Sequence, residues 1–510
     1  MHLRVLHAWL WSLCFSFGLS LGAGAADFGQ VMQMAGELAS RPHKPAPASA
    51  PEELRKLTFQ QHQLIRMKPE RALWHRARTQ FELSFVHMGM AFDRPVRINE
   101  VSSDGVRRIV FDPQAFDYGN LTLGPLNGPE MGFAGLRVHF PLHAKEPKDE
   151  VLVFLGASYF RALAAGLRFG LAARGVAIDT GESSGEEFPR FVEFWINRPA
   201  PGDQQLVIHA LLDSRRVTGA YRFVLKPGAP TRMEVKARLF LREKVSKLGI
   251  APFTSMYLYG ENQPAALGSI RPEVHDSDGL SIQSSAGEWL WRPLVNPRRL
   301  LITSFALTDP LGFGLMQRDR AFRSYEDLDA RFDLKPSAWV VPSGKWGPGR
   351  VELVQIPSPD ETNDNIVAYW IPATQPPVRK PFDIEYELLW GQPASLPAPP
   401  VRVTQTRRLP SPSSERRDKN AERSILLAID FEPLDPERVP SDLNPSWAVS
   451  SSDNGEIIER SLRRHEATGG WRATVRVRQQ DEKRPVELRG QLNAGAHALS
   501  EVWSYIVPPE

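Results

Sequence analysis

Along most of this chain apolar and polar residues alternate with a period of two. Met233, Val235, Ala237 and Leu239 alternate with Arg232, Glu234, Lys236 and Arg238, and Tyr221, Phe223 and Leu225 keep the same spacing. Phe81, Leu83 and Phe85 alternate with Glu82, Ser84 and Val86. Gly, Pro, Asp and Ser bound these runs, and the pattern predicts half-buried antiparallel strands. The helical period is scarce. It is clear over 28–40, where Phe28, Val31, Met32, Ala35 and Leu38 share one face behind a capping Asp27, and short helical pieces are expected near 159–168 and 324–332. The fold class expected is all-β, with a large β-sandwich over 27–392.

A run of prolines from Pro393 to Pro400 predicts a semi-rigid spacer over 393–400. Beyond it Ile425, Leu427 and Ile429 alternate, as do Trp471, Ala473, Val475 and Val477, and 502–507 reads as a last strand. Residues 401–510 have the size and strand spacing of a smaller immunoglobulin-like β-sandwich. The charged, Pro/Ser-rich stretch 407–423 is expected to be a mobile loop.

Composition changes this picture in three ways. A chain of 510 residues exceeds one compact core, which agrees with two domains. A net charge of +3, from 62 basic and 59 acidic residues, argues against a nucleic-acid partner. Residues 1–26 read as a cleaved secretory signal: Arg4, an apolar run from Leu10 to Leu21, then Ala23-Gly24-Ala25. The run falls short of the roughly 20 residues that span a bilayer. The start lacks paired arginines, so Sec-type export is expected. Cys14, the single cysteine, lies inside the signal, which leaves the mature chain without disulfides, thiolate metal sites or a cysteine nucleophile. Export without disulfides fits a bacterial periplasm. The 12 histidines show no metal spacing and no cofactor fingerprint is present, so neither metal nor cofactor is expected.

Two acidic clusters carry the candidate chemistry: His275-Asp276-Ser277-Asp278-Gly279-Leu280 and Asp360-Glu361-Thr362-Asn363-Asp364-Asn365. Trp289, Trp291, Trp339 and Trp346 flank them, and carboxylates among aromatic faces suit a sugar site. A glycoside hydrolase needs one acid for the leaving oxygen and one base for water, which Asp364 and Asp276 could supply. Asp278 and the four tryptophans are candidate sugar contacts, as are Tyr159 and Arg161 at the end of Gly156-Ala157-Ser158-Tyr159-Phe160-Arg161. Each feature also has a plainer reading. Glu361 to Asn365 suits a polar turn, Asp276 can cap a turn, and single tryptophans are more often core. Asp276-Ser277-Asp278-Gly279 resembles the start of a calcium loop, but Leu280-Ser281-Ile282-Gln283 brings no further acidic ligand. Gly181-Glu182-Ser183-Ser184-Gly185 matches G-x-S-x-G, yet Glu186-Glu187-Phe188-Pro189 does not open the required helix.

Longer stretches carry a family resemblance. Leu155-Gly156-Ala157-Ser158-Tyr159-Phe160-Arg161, Pro252-Phe253-Thr254-Ser255-Met256, His275-Asp276-Ser277-Asp278-Gly279-Leu280, Gly312-Phe313-Gly314-Leu315 and Asp364-Asn365-Ile366-Val367 resemble the glucans biosynthesis protein G/D family, from about residue 28 to the C-terminus. The missing arginine pair and the stretch Ser324-Tyr325-Glu326-Asp327-Leu328-Asp329 look more like the G type. The resemblance implies a periplasmic protein that works on β-1,2-linked glucan, with a large β-sandwich joined to an immunoglobulin-like domain. It also implies an inverting endo-β-1,2-glucanase or a related transglycosylase. In that scheme Asp364 is the acid, Asp276 the base and Glu361 a support for the acid, with protons passed through water and substrate hydroxyls. The alternative is a non-catalytic scaffold that receives glucan from a membrane glucosyltransferase.

Overall fold

The alternating segments are strands in the computed structural model, which describes residues 27–124, 126, 131–143, 147–265, 268–409, 424–434 and 444–509. The expected signal and most of the expected loop, 410–423, lie outside these residues, whereas 407–409 end the strand Val403–Leu409. Thr231–Leu241 buries every second residue along its first half, as its pattern predicts. Glu82–His87 buries nearly all of its residues, and the buried Glu82 is met by Lys148 Nζ at 2.6 Å.

Two large sheets face each other across one core. The first has ten strands, and in its middle Tyr159–Ala162, Ala172–Arg174, Leu248–Ser255 and Ile366–Pro372 lie side by side. The second runs from Gly105–Arg108 through Val217–Lys226, Thr231–Leu241 and Phe382–Gly391 to Gly279–Gln283 and Trp289–Pro293. Phe154 and Phe160 of the first sheet meet Phe223 of the second with ring centroids 5.3 and 5.4 Å apart. The predicted helix is Phe28–Ala39, capped by Asp27, whose side chain accepts the Gln30 N–H at 2.9 Å. It packs outside the second sheet, with Val31, Ala35 and Ala39 against Trp195, Leu211, Ala220 and Phe240. Residues 159–162 form a strand instead of the expected helical piece, and near 324–332 there are two single-turn 3-10 helices, Phe322–Ser324 and Phe332–Leu334. No helix among the described residues is long and apolar enough to cross a membrane.

The C-terminal part is a second sandwich. Val403–Leu409, Ser424–Phe431, Gly470–Gln479 and Gly455–His465 form one sheet, and Ser446–Ser451, Val486–Ala494 and Val502–Val507 form the other. Seven strands in two layers suit an immunoglobulin-like module. The second layer does not end at the domain. Val502–Val507 pairs in parallel with Trp289–Pro293, Leu290 opposite Val502 and Trp291 opposite Trp503, so the sheet runs on into the large domain. The proline run is packed too. Pro393–Ser395 is a 3-10 turn, and Pro393, Leu396 and Val401 are buried. Arg318 locks the joint: its guanidinium lies 3.6 Å from the centre of the Trp291 ring and holds both oxygens of the fully buried Glu501 at 2.5 and 3.0 Å.

Candidate functional site

The candidate site forms on the outer face of the ten-stranded sheet. The register there places Phe160 opposite Ala173, Ala173 opposite Phe253 and Phe253 opposite Ala368. Phe160, Ala162, Ala173 and Phe253 belong to the core, so strand alternation turns Tyr159, Arg161 and Arg174 outward. Arg174 is nevertheless 2 % exposed. Its guanidinium is 5.1 Å from the Tyr159 ring centre and 5.2 Å from that of Phe188, and it donates to Glu186 Oε1 at 2.5 Å. Phe188 itself stays half exposed.

Asp364 stands just before Ile366–Pro372, and the residue between fixes it. The Asn365 side chain accepts the Tyr257 N–H at 2.8 Å and donates to the Tyr257 and Ile356 carbonyls at 2.9 and 3.1 Å. Tyr257 stacks on His275, with centroids 5.3 Å apart and planes 15° apart. The His275 ring is held between Glu273 Oε2 at 2.8 Å and Gln317 Oε1 at 2.9 Å. Asp276 follows His275 and donates its N–H to the Met256 carbonyl at 2.9 Å. A buried polar relay thus joins the backbone positions of Asp364 and Asp276.

The electrostatics join the two carboxylates as well. Asp364 is exposed to solvent, although enough protein surrounds it to shift its titration. Burial raises its carboxyl above the ordinary aspartate value, the Asp276 charge raises it further, and Arg161, Arg174 and Lys335 oppose the shift. Lys335 Nζ lies 3.6 Å from Asp276 Oδ1 and donates to the Phe169 carbonyl at 2.8 Å. Glu361 is held by Arg271 at 2.8 and 3.1 Å, and Arg271 also grips Asp327 at 2.9 Å, which ties down the turn ahead of Asp364. Cavities of about 760 and 820 Å³ elsewhere in the molecule have neither Asp276 nor Asp364 in their walls. The second touches the site only through Glu186 and Phe188.

Other expected contacts lie elsewhere. Trp289, Trp291 and Trp339 are buried in the core shared with the C-terminal domain, where Trp289 and Trp339 stack at 5.4 Å. Trp346 is half-buried, with its ring 6.1 Å from those of Trp370 and Tyr386. The faces of Trp289, Trp291 and Trp339 are taken by protein, whereas Trp346 keeps part of its side chain open. Asp278 Oδ2 accepts the Arg318 and Asp319 N–H groups at 2.8 and 3.1 Å, and the side chain faces the domain joint. The G-x-S-x-G segment is a turn with Gly181 and Gly185 at φ +74° and +87°, and Glu187 then bridges back to Ile178 with no helix following. That arrangement removes the serine-hydrolase reading. The same turn supplies Glu186 to Arg174. Sequence reasoning missed Arg174, Lys335 and Phe188. A lone arginine in the apolar stretch Leu171 to Ile178 was a usable signal, because a charge there must find a partner. Lys335 and Phe188 had no local signal.

The family model described as "Periplasmic glucan biosynthesis protein, MdoG" matches residues 26–507. The chain is 53 % identical over 494 residues to "Glucans biosynthesis protein G" of Ralstonia nicotianae, covering 96 % of this chain and 98 % of the relative. It is 48 % identical over 490 residues to the protein of the same name from Pseudomonas paraeruginosa, covering 95 % and 93 %.

Proposed function

The chain belongs to the MdoG family of periplasmic glucan biosynthesis proteins, and on that premise we propose that it cleaves the β-1,2-glucan backbone as an inverting endo-acting hydrolase or a closely related transglycosylase. The observation that carries this reading is the unequal aspartate pair. Asp364 is pushed toward its protonated form by burial and by the Asp276 charge, while Asp276 is paired with the Lys335 ammonium. Two carboxyl groups held in different environments are what an acid and a base require. Asp364 donates its proton to the leaving glycosidic oxygen. Asp276 takes a proton from the attacking water, directly or through a substrate hydroxyl. Glu361, through Arg271, holds the turn that aims Asp364.

Arg161 and the exposed edge of Tyr159 meet sugar hydroxyls, and the half-exposed Phe188 stacks on a ring in the place first expected of the tryptophans. Asp364 is exposed at the surface, where an internal stretch of a long chain can reach it, which favours endo action. Residues 1–26 act as a Sec-type leader, and the glucan comes from a glucosyltransferase in the membrane.

The test is to incubate the mature protein with linear β-1,2-glucan and follow reducing ends, product lengths and the anomer first released, with Asp364→Asn alongside. New α-anomeric ends from the wild type alone support the proposal. Lengths redistributed without new ends assign transfer at the same residues. Binding without either result rejects catalysis and leaves a scaffold that presents glucan.

A further inference from the structure

Where the two domains meet, a cavity of about 30 Å³ lies among Tyr257, Glu261, Glu273, Asp278, Trp291 and Asp319, and 404–406 of the C-terminal domain complete its wall. We propose that this cavity binds a hard divalent cation of the calcium class, ligated directly by Glu261, Glu273 and Asp319, and that the ion fastens the two domains together.

Three observations carry the inference. One carboxylate oxygen from each of Glu261, Glu273 and Asp319 lies within 4.8 Å of the others. Two oxygens on one calcium ion, each about 2.4 Å away, can be no more than about 4.8 Å apart. Next, Glu261 Oε2, Asp278 Oδ1 and Asp319 Oδ2 are all shut off from solvent and accept no hydrogen bond from the protein. Buried polar atoms are rarely left so, and here three of one charge point into one space. Last, the space has the right size and donors. About 30 Å³ exceeds the roughly 10–15 Å³ that one water-sized occupant requires, and an all-oxygen set selects calcium-like ions over zinc.

The side-chain hydrogen bonds of the neighbouring arginines go elsewhere. Arg318 holds Glu501, and Arg407, 3.9 Å from Glu261, is bonded to Asp430 at 2.8 Å. Arg320 donates to the Lys335 carbonyl. His275 is bonded to Glu273 Oε2 at 2.8 Å. A calcium loop starting at Asp276 has no downstream ligand in the sequence, but the fold brings its ligands from other segments, with Asp278 at the rim. The inference is independent of the glucan reading.

The test uses the full mature chain freed of metal by a chelator, with terbium(III) as the luminescent probe. Tyr257 and Trp291 line the cavity and can sensitise terbium bound in it. The expected result is one sensitised terbium per chain, displaced by calcium. Calcium at a hundredfold excess over its Kd should also raise the Tm by about 2 °C or more. Glu261→Gln combined with Asp319→Asn should abolish both effects while keeping the Tm of the chelated protein at or above that of the wild type, because two repelling charges are removed. Sensitised emission that is absent, or that survives in the double variant, overturns the proposal. So does a wild-type Tm indifferent to calcium, in which case protons neutralise the acids instead.

Discussion

Asn365 holds Tyr257 by both of its backbone groups, accepting from the N–H at 2.8 Å and donating to the carbonyl at 2.9 Å. This side-chain bridge lets the residue next to Asp364 set the position of the segment leading to Asp276. Asn365→Ala leaves the buried Tyr257 N–H and two carbonyls without these partners. The expected cost is about 2–4 kcal/mol in urea unfolding. A loss below about 0.5 kcal/mol would mean that the sheet pairing alone fixes the segment.

The Asp364 carboxyl is raised by burial first, lowered by Arg161 and raised by Asp276. A raised carboxyl takes up a proton in the fold that the unfolded chain takes up only at lower pH. Its contribution therefore favours the fold at low pH and is lost as pH rises from the ordinary aspartate value of 3.8 through the raised one. Arg161→Gln removes the largest opposing charge. The Asp364 titration, followed by carboxyl-carbon NMR, should move to higher pH, and with it the alkaline limb of any glucan-cleavage profile. A shift to lower pH would contradict the arrangement.

His87 is 1 % exposed, ringed by Phe111, Phe116 and Tyr118 at 5.3, 5.1 and 5.5 Å. Burial lowers its imidazole from 6.5 to about 4, with the nearby His62 adding to the effect and the Met88 carbonyl opposing it. Between these values the unfolded chain holds a proton that the fold refuses. Stability is then lost as pH falls from 6.5 toward 4, by up to about 3 kcal/mol. Denaturant midpoints measured across that range should fall less steeply for His87→Phe. Equal slopes would show that other groups carry the acid sensitivity.

Glu501 is fully buried and grips both Arg318 and the Val403 N–H, the latter at 2.7 Å. Glu501→Gln keeps the shape but leaves the Arg318 charge uncompensated, at an expected cost of about 3–5 kcal/mol. Because Arg318 lies on Trp291, the loss should appear first in tryptophan fluorescence during thermal unfolding. An unchanged Tm would show that the ion pair does not hold the joint.

The strands were legible because alternation is local. The Phe28–Ala39 helix was legible for the same reason, with Asp27 as its visible cap. The short helix Phe59–Leu64 was missed although its start is written in the sequence: Thr58 and Gln61 form a reciprocal capping box. The burial of Trp289, Trp291 and Trp339 was not legible for a different reason. Whether Trp291 faces a sugar or a core depends on Leu290 pairing with Val502, a contact between distant segments that no local pattern contains. Composition singles out Asp276 and Asp364, but their proximity depends on Asn365, Tyr257 and His275, and the charges around them come from Arg174 and Lys335 on other elements.

The parallel pairing of Trp289–Pro293 with Val502–Val507 also has a consequence in time. A chain made from its N-terminus completes the large sandwich except for one border, where the backbone groups of Trp289–Pro293 await a strand that emerges much later. Until then that border can recruit any passing extended segment, another copy of the same chain included. Emergence of Val502–Val507 is thus the event that ends the vulnerable interval. Truncations near Val502 should yield insoluble protein even when every residue of the large sandwich is present.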